Sequence, residues 1–113
     1  MLAVLSHVLN MQSAAGLEEA LQANRYTFVK FYLAHCKHCQ QLSPRFYDLS
    51  DAAPARVALA QFNCALDRVT CDTHGVDGVP GLVLFRGGQR VAEYDSLWRD
   101  VKPMRRWLEE QME

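Results

Sequence analysis

The chain has 113 residues, half of them apolar and 22% charged, with a formal net charge of −1 when histidines are neutral. That length suits one domain, residues 1–113, with a real core. The balanced charge gives no basic surplus for nucleic acid or an anionic membrane, and no window approaches the roughly 18 apolar residues of a membrane span.

The stretch from Leu2 to Val8 leans apolar but lacks a basic region and contains His7, so it reads as a poor signal peptide. The end, Gln111-Met112-Glu113, has no retrieval signal. A cytosolic protein and a domain of a longer secretory protein both fit. Val8 to Met11 reads as a short strand. Ser13 can cap a helix through Gln22, with Leu17, Ala20 and Leu21 on one face. Thr27 to Leu33 is continuously apolar apart from Lys30, which suggests a central strand covered on both faces. A helix from Cys36 to Asp51 buries Leu42, Phe46 and Leu49, and Pro44 inside it should bend it.

Arg56 to Asn63 reads as a third strand. Asp67 can cap a short helix that Gly75 ends. Leu82–Phe85 and Val91–Tyr94 flank Arg86-Gly87-Gly88-Gln89, a hairpin signal. Asp100 can cap the last helix, with Pro103 in the first turn and Val101, Met104, Trp107 and Leu108 as its buried stripe. Arginine outnumbers lysine nine to three, and Arg99, Arg105 and Arg106 read as a solvated cluster. The order predicts an α/β fold, a central mixed sheet with helices on both faces.

The chemistry concentrates in Cys36-Lys37-His38-Cys39. A strand precedes these residues and a helix follows. The junction puts the first sulfur at a helix N-terminus, where unpaired N–H groups and the helix dipole favour a thiolate. Such a thiolate attacks disulfides, and the second cysteine can close a ring with it. Cys36 is therefore the expected nucleophile and Cys39 the resolving thiol. His35, Lys37 and His38 add positive charge, and His38 is expected to contact the Cys36 thiolate. An inert structural pair is one rival. Zinc held by the four thiols, or by three with His74, is another. Its knuckle spacing does not match, so no metal is expected. His7 and His74 read as structural or solvent-facing.

Four segments in order resemble the thioredoxin fold as found in the protein disulfide isomerase family. Phe31-Tyr32-Leu33-Ala34-His35-Cys36-Lys37-His38-Cys39 resembles the family's FYAPWCGHC. Leu42-Ser43-Pro44 matches its helix proline, and Gly75-Val76-Asp77-Gly78-Val79-Pro80 resembles GVxGxPT. Leu84-Phe85-Arg86-Gly87-Gly88 matches the hairpin. The resemblance implies a thioredoxin fold and a cis Val79–Pro80 bond opposite Cys36. His35, Lys37, Val79 and Pro80 would then meet the client, with Val79 pairing to an extended chain like an added strand. Cys64 and Cys71 have the Cys-x6-Cys spacing of a second pair in some family members; a structural disulfide and two reduced thiols are both open, and the disulfide is favoured. Arg99 corresponds to a loop arginine thought to swing toward the second cysteine, although the loop here has one extra residue.

The departures are His35 for tryptophan, Lys37 for glycine, Gly81 for threonine and Lys30 for a buried carboxylate that relays a proton to the second cysteine. Lys30 has two readings. Burial could leave its amine partly neutral and able to take the Cys39 proton, or charged and stabilising a Cys39 thiolate. Alternatively its stem packs and its amine reaches water, which the short distance to the strand end favours.

The expected function is a thiol–disulfide oxidoreductase or isomerase acting on client polypeptides. The expected partners are unfolded or misoxidised clients and an upstream thiol oxidase or glutathione. No cofactor is expected, since the cysteines carry the electrons. The endoplasmic reticulum lumen is the expected location. A cytosolic reductase and a client-holding module are the alternatives; His38 in the motif's third position favours an oxidising pair over a reducing one.

Overall fold

A computed structural model describes residues 7–112, so the weak leader-like residues before His7 and the terminal Glu113 lie outside the described residues. The elements run β1 (Val8–Met11), α1 (Ala14–Ala23), β2 (Tyr26–Tyr32), α2 (Lys37–Ala52), β3 (Val57–Asn63), α3 (Arg68–Thr73), β4 (Gly81–Arg86), β5 (Gln89–Glu93) and α4 (Val101–Gln111). They form one five-stranded sheet in the order β1-β3-β2-β4-β5. β1, β3 and β2 are parallel, whereas β4 and β5 are antiparallel. This is the thioredoxin fold that the motif order implied.

The central place of β2 explains its sequence. It pairs with β3 on one side and β4 on the other and is buried from Tyr26 to Phe31. Helices cover both faces, so neither face of the strand needs polar residues. The two-residue period sends Tyr26 and Phe28 into one core, with Leu42, Phe46 and Leu49 of α2 and Met104 and Leu108 of α4. It sends Val29 and Phe31 into the other, with Leu17 and Leu21 of α1, Phe62, Val83 and Phe85. Lys30 shares the parity of Tyr26 and Phe28 and so faces α2.

The helix starts follow the side chains that open them. Ser13 Oγ accepts the Gly16 N–H at 3.0 Å and an Asp67 carboxylate oxygen accepts the Thr70 N–H at 3.2 Å. Asp100 departs from the expected cap. It sits at the cap position of α4 but makes no side-chain bond to the helix, and its carboxylate pairs with Arg45 at 3.2 Å instead. Pro103 lies in the first turn, where its missing N–H had no helical partner to lose. α2 runs through Pro44 as one helix. Gly87 and Gly88 have φ of 56° and 92°, which a two-residue hairpin turn demands and a side chain resists. The turn is tighter than the sequence suggested, so Arg86 and Gln89 join the strands and β5 ends at Glu93 rather than Tyr94.

Candidate active site

The parallel strand β2 delivers the chain to the start of α2, and Cys36 is the residue that caps that helix. Its Sγ accepts the Cys39 N–H at 3.2 Å, the role that oxygen plays at Ser13 and Asp67. A sulfur held there faces the positive end of the helix dipole, which favours negative charge on it. The Cys36 thiol also reaches the Val79 carbonyl oxygen at 3.8 Å, and the Val79–Pro80 bond is cis. Cys36 is partly exposed and Cys39 is 2% exposed, so one thiol meets solvent while the other waits behind it. Burial and the Cys36 thiol push the Cys39 thiol up to about 11, while a backbone hydrogen bond with Leu33 and the Lys30 charge act against that rise.

Beneath this pair lies Lys30, 1% exposed. The solvent-reaching reading of this lysine is overturned. Its Nζ donates to Ser43 Oγ at 2.8 Å, and that hydroxyl donates to the Cys39 carbonyl oxygen at 3.1 Å. The amine also lies 5.0 Å from the Tyr32 ring centre and 5.5 Å from that of Phe46. The reason is strand parity, which points the stem at α2, where a hydroxyl and two aromatic faces receive the amine. Burial lowers the lysine's proton affinity, and the neighbouring Cys39 opposes that. Ser43 is a residue that motif reading passed over. It stands one helical turn after Cys39, within reach of its carbonyl, which was the available signal.

The remaining residues fall on either side. His35, Lys37 and His38 are exposed. The expected contact between His38 and the Cys36 sulfur is not among the hydrogen bonds of the described residues. His38 instead lines a cleft of about 410 Å³ with Leu42 and Arg45 of α2 and Leu97, Trp98 and Arg99 of the β5–α4 loop. Arg99 therefore stands near His38, and its Nε is shielded from solvent without a hydrogen-bond partner among the described residues. A second cleft, of about 260 Å³, is lined by Val79, Leu33, Val76 and the Cys64–Cys71 pair.

Cys64 and Cys71 are joined in a disulfide, and both are buried. That removes two ligands from the zinc alternative. His74 is also engaged, with Nε2 at 2.7 Å from a Glu18 carboxylate oxygen and its ring 5.1 Å from that of Phe85. His7 is exposed, and its backbone N–H donates to Ser50 Oγ.

Comparison with known proteins finds the same fold elsewhere. Residues 8–110 match the family model Thioredoxin. The human DnaJ homolog subfamily C member 10 is 31% identical over 77 residues, covering 68% of this chain and 10% of that protein. The chicken protein disulfide-isomerase A3 is 33% identical over 68 residues, covering 60% of this chain and 14% of that protein. The chain thus spans a small part of the curated relatives it matches. Among solved structures, a mutant thioredoxin from Halobacterium salinarum superposes with a TM-score of 0.83 at 27% identity, covering 100% of this chain and 97% of that one.

Proposed function

The chain belongs to the thioredoxin family, as a domain of the protein disulfide isomerase type, and from that premise we propose that it exchanges disulfides with cysteines of client polypeptides through Cys36 and Cys39. The observation that carries the reading is the cap bond, in which the Cys39 N–H reaches the Cys36 sulfur at 3.2 Å while the second thiol stays buried.

In the oxidising direction, a client thiolate attacks Cys36 of the Cys36–Cys39 disulfide. A client–Cys36 bond forms and Cys39 leaves as the thiolate. A second client thiolate then attacks the client sulfur of that bond. Cys36 leaves, the client holds a new disulfide and the domain holds two thiols. In the reducing direction the Cys36 thiolate opens a client disulfide, and Cys39 gives up its proton and displaces the client. Isomerisation joins the first step of the reducing direction to the second step of the oxidising one: the Cys36 thiolate opens a client disulfide, another client thiolate attacks the client sulfur of the mixed disulfide, and Cys36 leaves as it began. His35, Lys37, Val79 and Pro80 border the reacting sulfur and receive the client backbone, with the Val79 carbonyl as a strand-like partner. An upstream thiol oxidase or the glutathione pool restores the disulfide.

The buried Cys64–Cys71 disulfide supports an oxidising compartment, and the endoplasmic reticulum lumen is the proposed location. Two assays test the reading: reshuffling of a scrambled multi-disulfide protein, and the Cys36–Cys39 equilibrium in glutathione buffers. Reshuffling lost on Cys36→Ser, with an equilibrium near the glutathione poise, supports an isomerase. An equilibrium far on the reducing side makes the domain a reductase, and client binding that survives alkylation of both thiols without exchange makes it a holding module.

A further inference from the structure

Resting on that exchange chemistry, we propose that the cleft between α2 and the β5–α4 loop is a specificity subsite. It takes an apolar side chain and an adjacent carboxylate from the client polypeptide, beside the client's reacting cysteine.

The apolar half of the subsite is Leu97 and Trp98, which are 87% and 73% exposed, the two most exposed large apolar residues among those described. Both line the cleft that His38 opens. Their loop is held rather than loose. The Tyr94 hydroxyl donates to the Trp98 carbonyl, and the Trp98 N–H donates to Ser96 Oγ at 3.1 Å. Tyr94 is itself buried and packs edge-on against Trp107, with ring centres 5.3 Å apart. A backbone fixed in this way presents the two side chains with little ordering left to lose on binding.

The polar half holds two arginines, Arg45 and Arg99, with His38, and one carboxylate, Asp100, which is paired with Arg45. Arg99 Nε is shielded from water and has no partner among the described residues. Arg45 spends one contact on Asp100, in an ion pair that is more than half exposed on both sides. His38 lines the same cleft. A guanidinium donor in search of an acceptor is best met by a carboxylate, which accepts from the planar fork. The occupant is the client because the cleft begins within the Cys36–Cys39 motif. Val79 borders the Cys36 sulfur on one side, and His38, two residues after Cys36 in the first turn of α2, opens the cleft.

The test uses peptides with serine in place of the reacting cysteine, so that binding is read apart from exchange. They carry Leu-Glu, Leu-Lys or Gly-Ser beside that serine. Titration is followed by tryptophan emission, to which exposed Trp98 responds. The Leu-Glu peptide should bind roughly fivefold tighter than the Leu-Lys peptide, the size of one partly exposed ion pair. Arg99→Glu should invert that ratio, and Arg99→Gln should bring it near one. Leu97→Ser should weaken both leucine peptides relative to Gly-Ser. Equal affinities in the wild type, or a ratio indifferent to Arg99→Glu, would overturn the subsite. The cysteine forms of the same peptides, offered as disulfides to Cys39→Ser protein, separate the two readings. Binding preference without trapping sinks the exchange chemistry alone, and trapping without preference sinks the subsite alone.

Discussion

Lys30 and Ser43 meet 2.8 Å apart in a site where only 1% of the lysine reaches solvent. The Ser43 hydroxyl donates its hydrogen bond to the Cys39 carbonyl at 3.1 Å, so toward the lysine it offers a lone pair. The hydroxyl is therefore the hinge between a buried cation and the backbone of the resolving cysteine.

Ser43→Ala removes the one hydrogen-bond partner of the lysine amine among the described residues. Losing a partner to a buried charged donor costs about 2 kcal/mol. Urea denaturation should show that loss in the wild-type background. In a Lys30→Met background the same change should cost well under half as much, because no orphaned amine remains. Equal costs in both backgrounds would show that Ser43 does not support Lys30.

Cys36→Ser should abolish exchange, whereas Cys39→Ser should accumulate mixed disulfides with clients. The asymmetry follows from burial: Cys36 is partly exposed at the helix start and Cys39 is pushed up to about 11. Mass spectrometry after brief iodoacetamide treatment at neutral pH should find the label on Cys36. Faster labelling of Cys39 would reverse the assignment.

The Cys64–Cys71 disulfide closes a short loop between β3 and α3. Replacing both cysteines by serine should cost about 2 kcal/mol, from loop-closure entropy. Mild glutathione should reduce Cys36–Cys39 first, since both cysteines of the second pair are buried whereas Cys36 is partly exposed. Both thiols of the second pair free in air-oxidised protein would refute this bond.

Much of the fold was legible because its signals are local. The Gly87-Gly88 turn, the Ser13 and Asp67 caps and the continuous apolar run of β2 each lie within a few residues of what they determine. The redox pair was legible for the same reason, since its helix start lies inside the motif. What escaped depends on register between elements. Strand parity aims Lys30 at α2, but only the packing of α2 decides that Ser43 meets it. Asp100 looks like a cap until Arg45, from another helix, competes for its carboxylate. No local signal marks Trp98, which the loop leaves in water in the cleft that His38 lines.

The last prediction concerns resolution of the mixed disulfide. Cys39 must ionise to displace the client, and its thiol is pushed up to about 11 from an ordinary 9.0. Resolution by Cys39 should therefore accelerate about tenfold per pH unit from neutrality until roughly that value. A backbone hydrogen bond with Leu33 opposes the rise, and so does the charge of Lys30. Two aromatic faces and a hydroxyl lone pair around the amine favour the charged form, although burial works against it. Lys30→Met removes that charge, so the Cys39 thiol should move further up and resolution should slow by roughly tenfold for each unit of movement. Attack by Cys36 should keep its rate. The sign for stability follows the same group. Because the folded thiol ionises above the unfolded one, its contribution is intact below about pH 9 and is lost as pH climbs toward about 11. Single-turnover kinetics that follow attack and resolution separately, from pH 6 to 10, read the first effect. In the mutant the resolution profile should keep its slope and drop in rate. If wild-type resolution instead levels off well below pH 11 and the mutant loses 10²–10⁴ in rate, Lys30 is acting as a neutral base. Unchanged resolution, or a slowed attack with normal resolution, would remove Lys30 from the chemistry altogether.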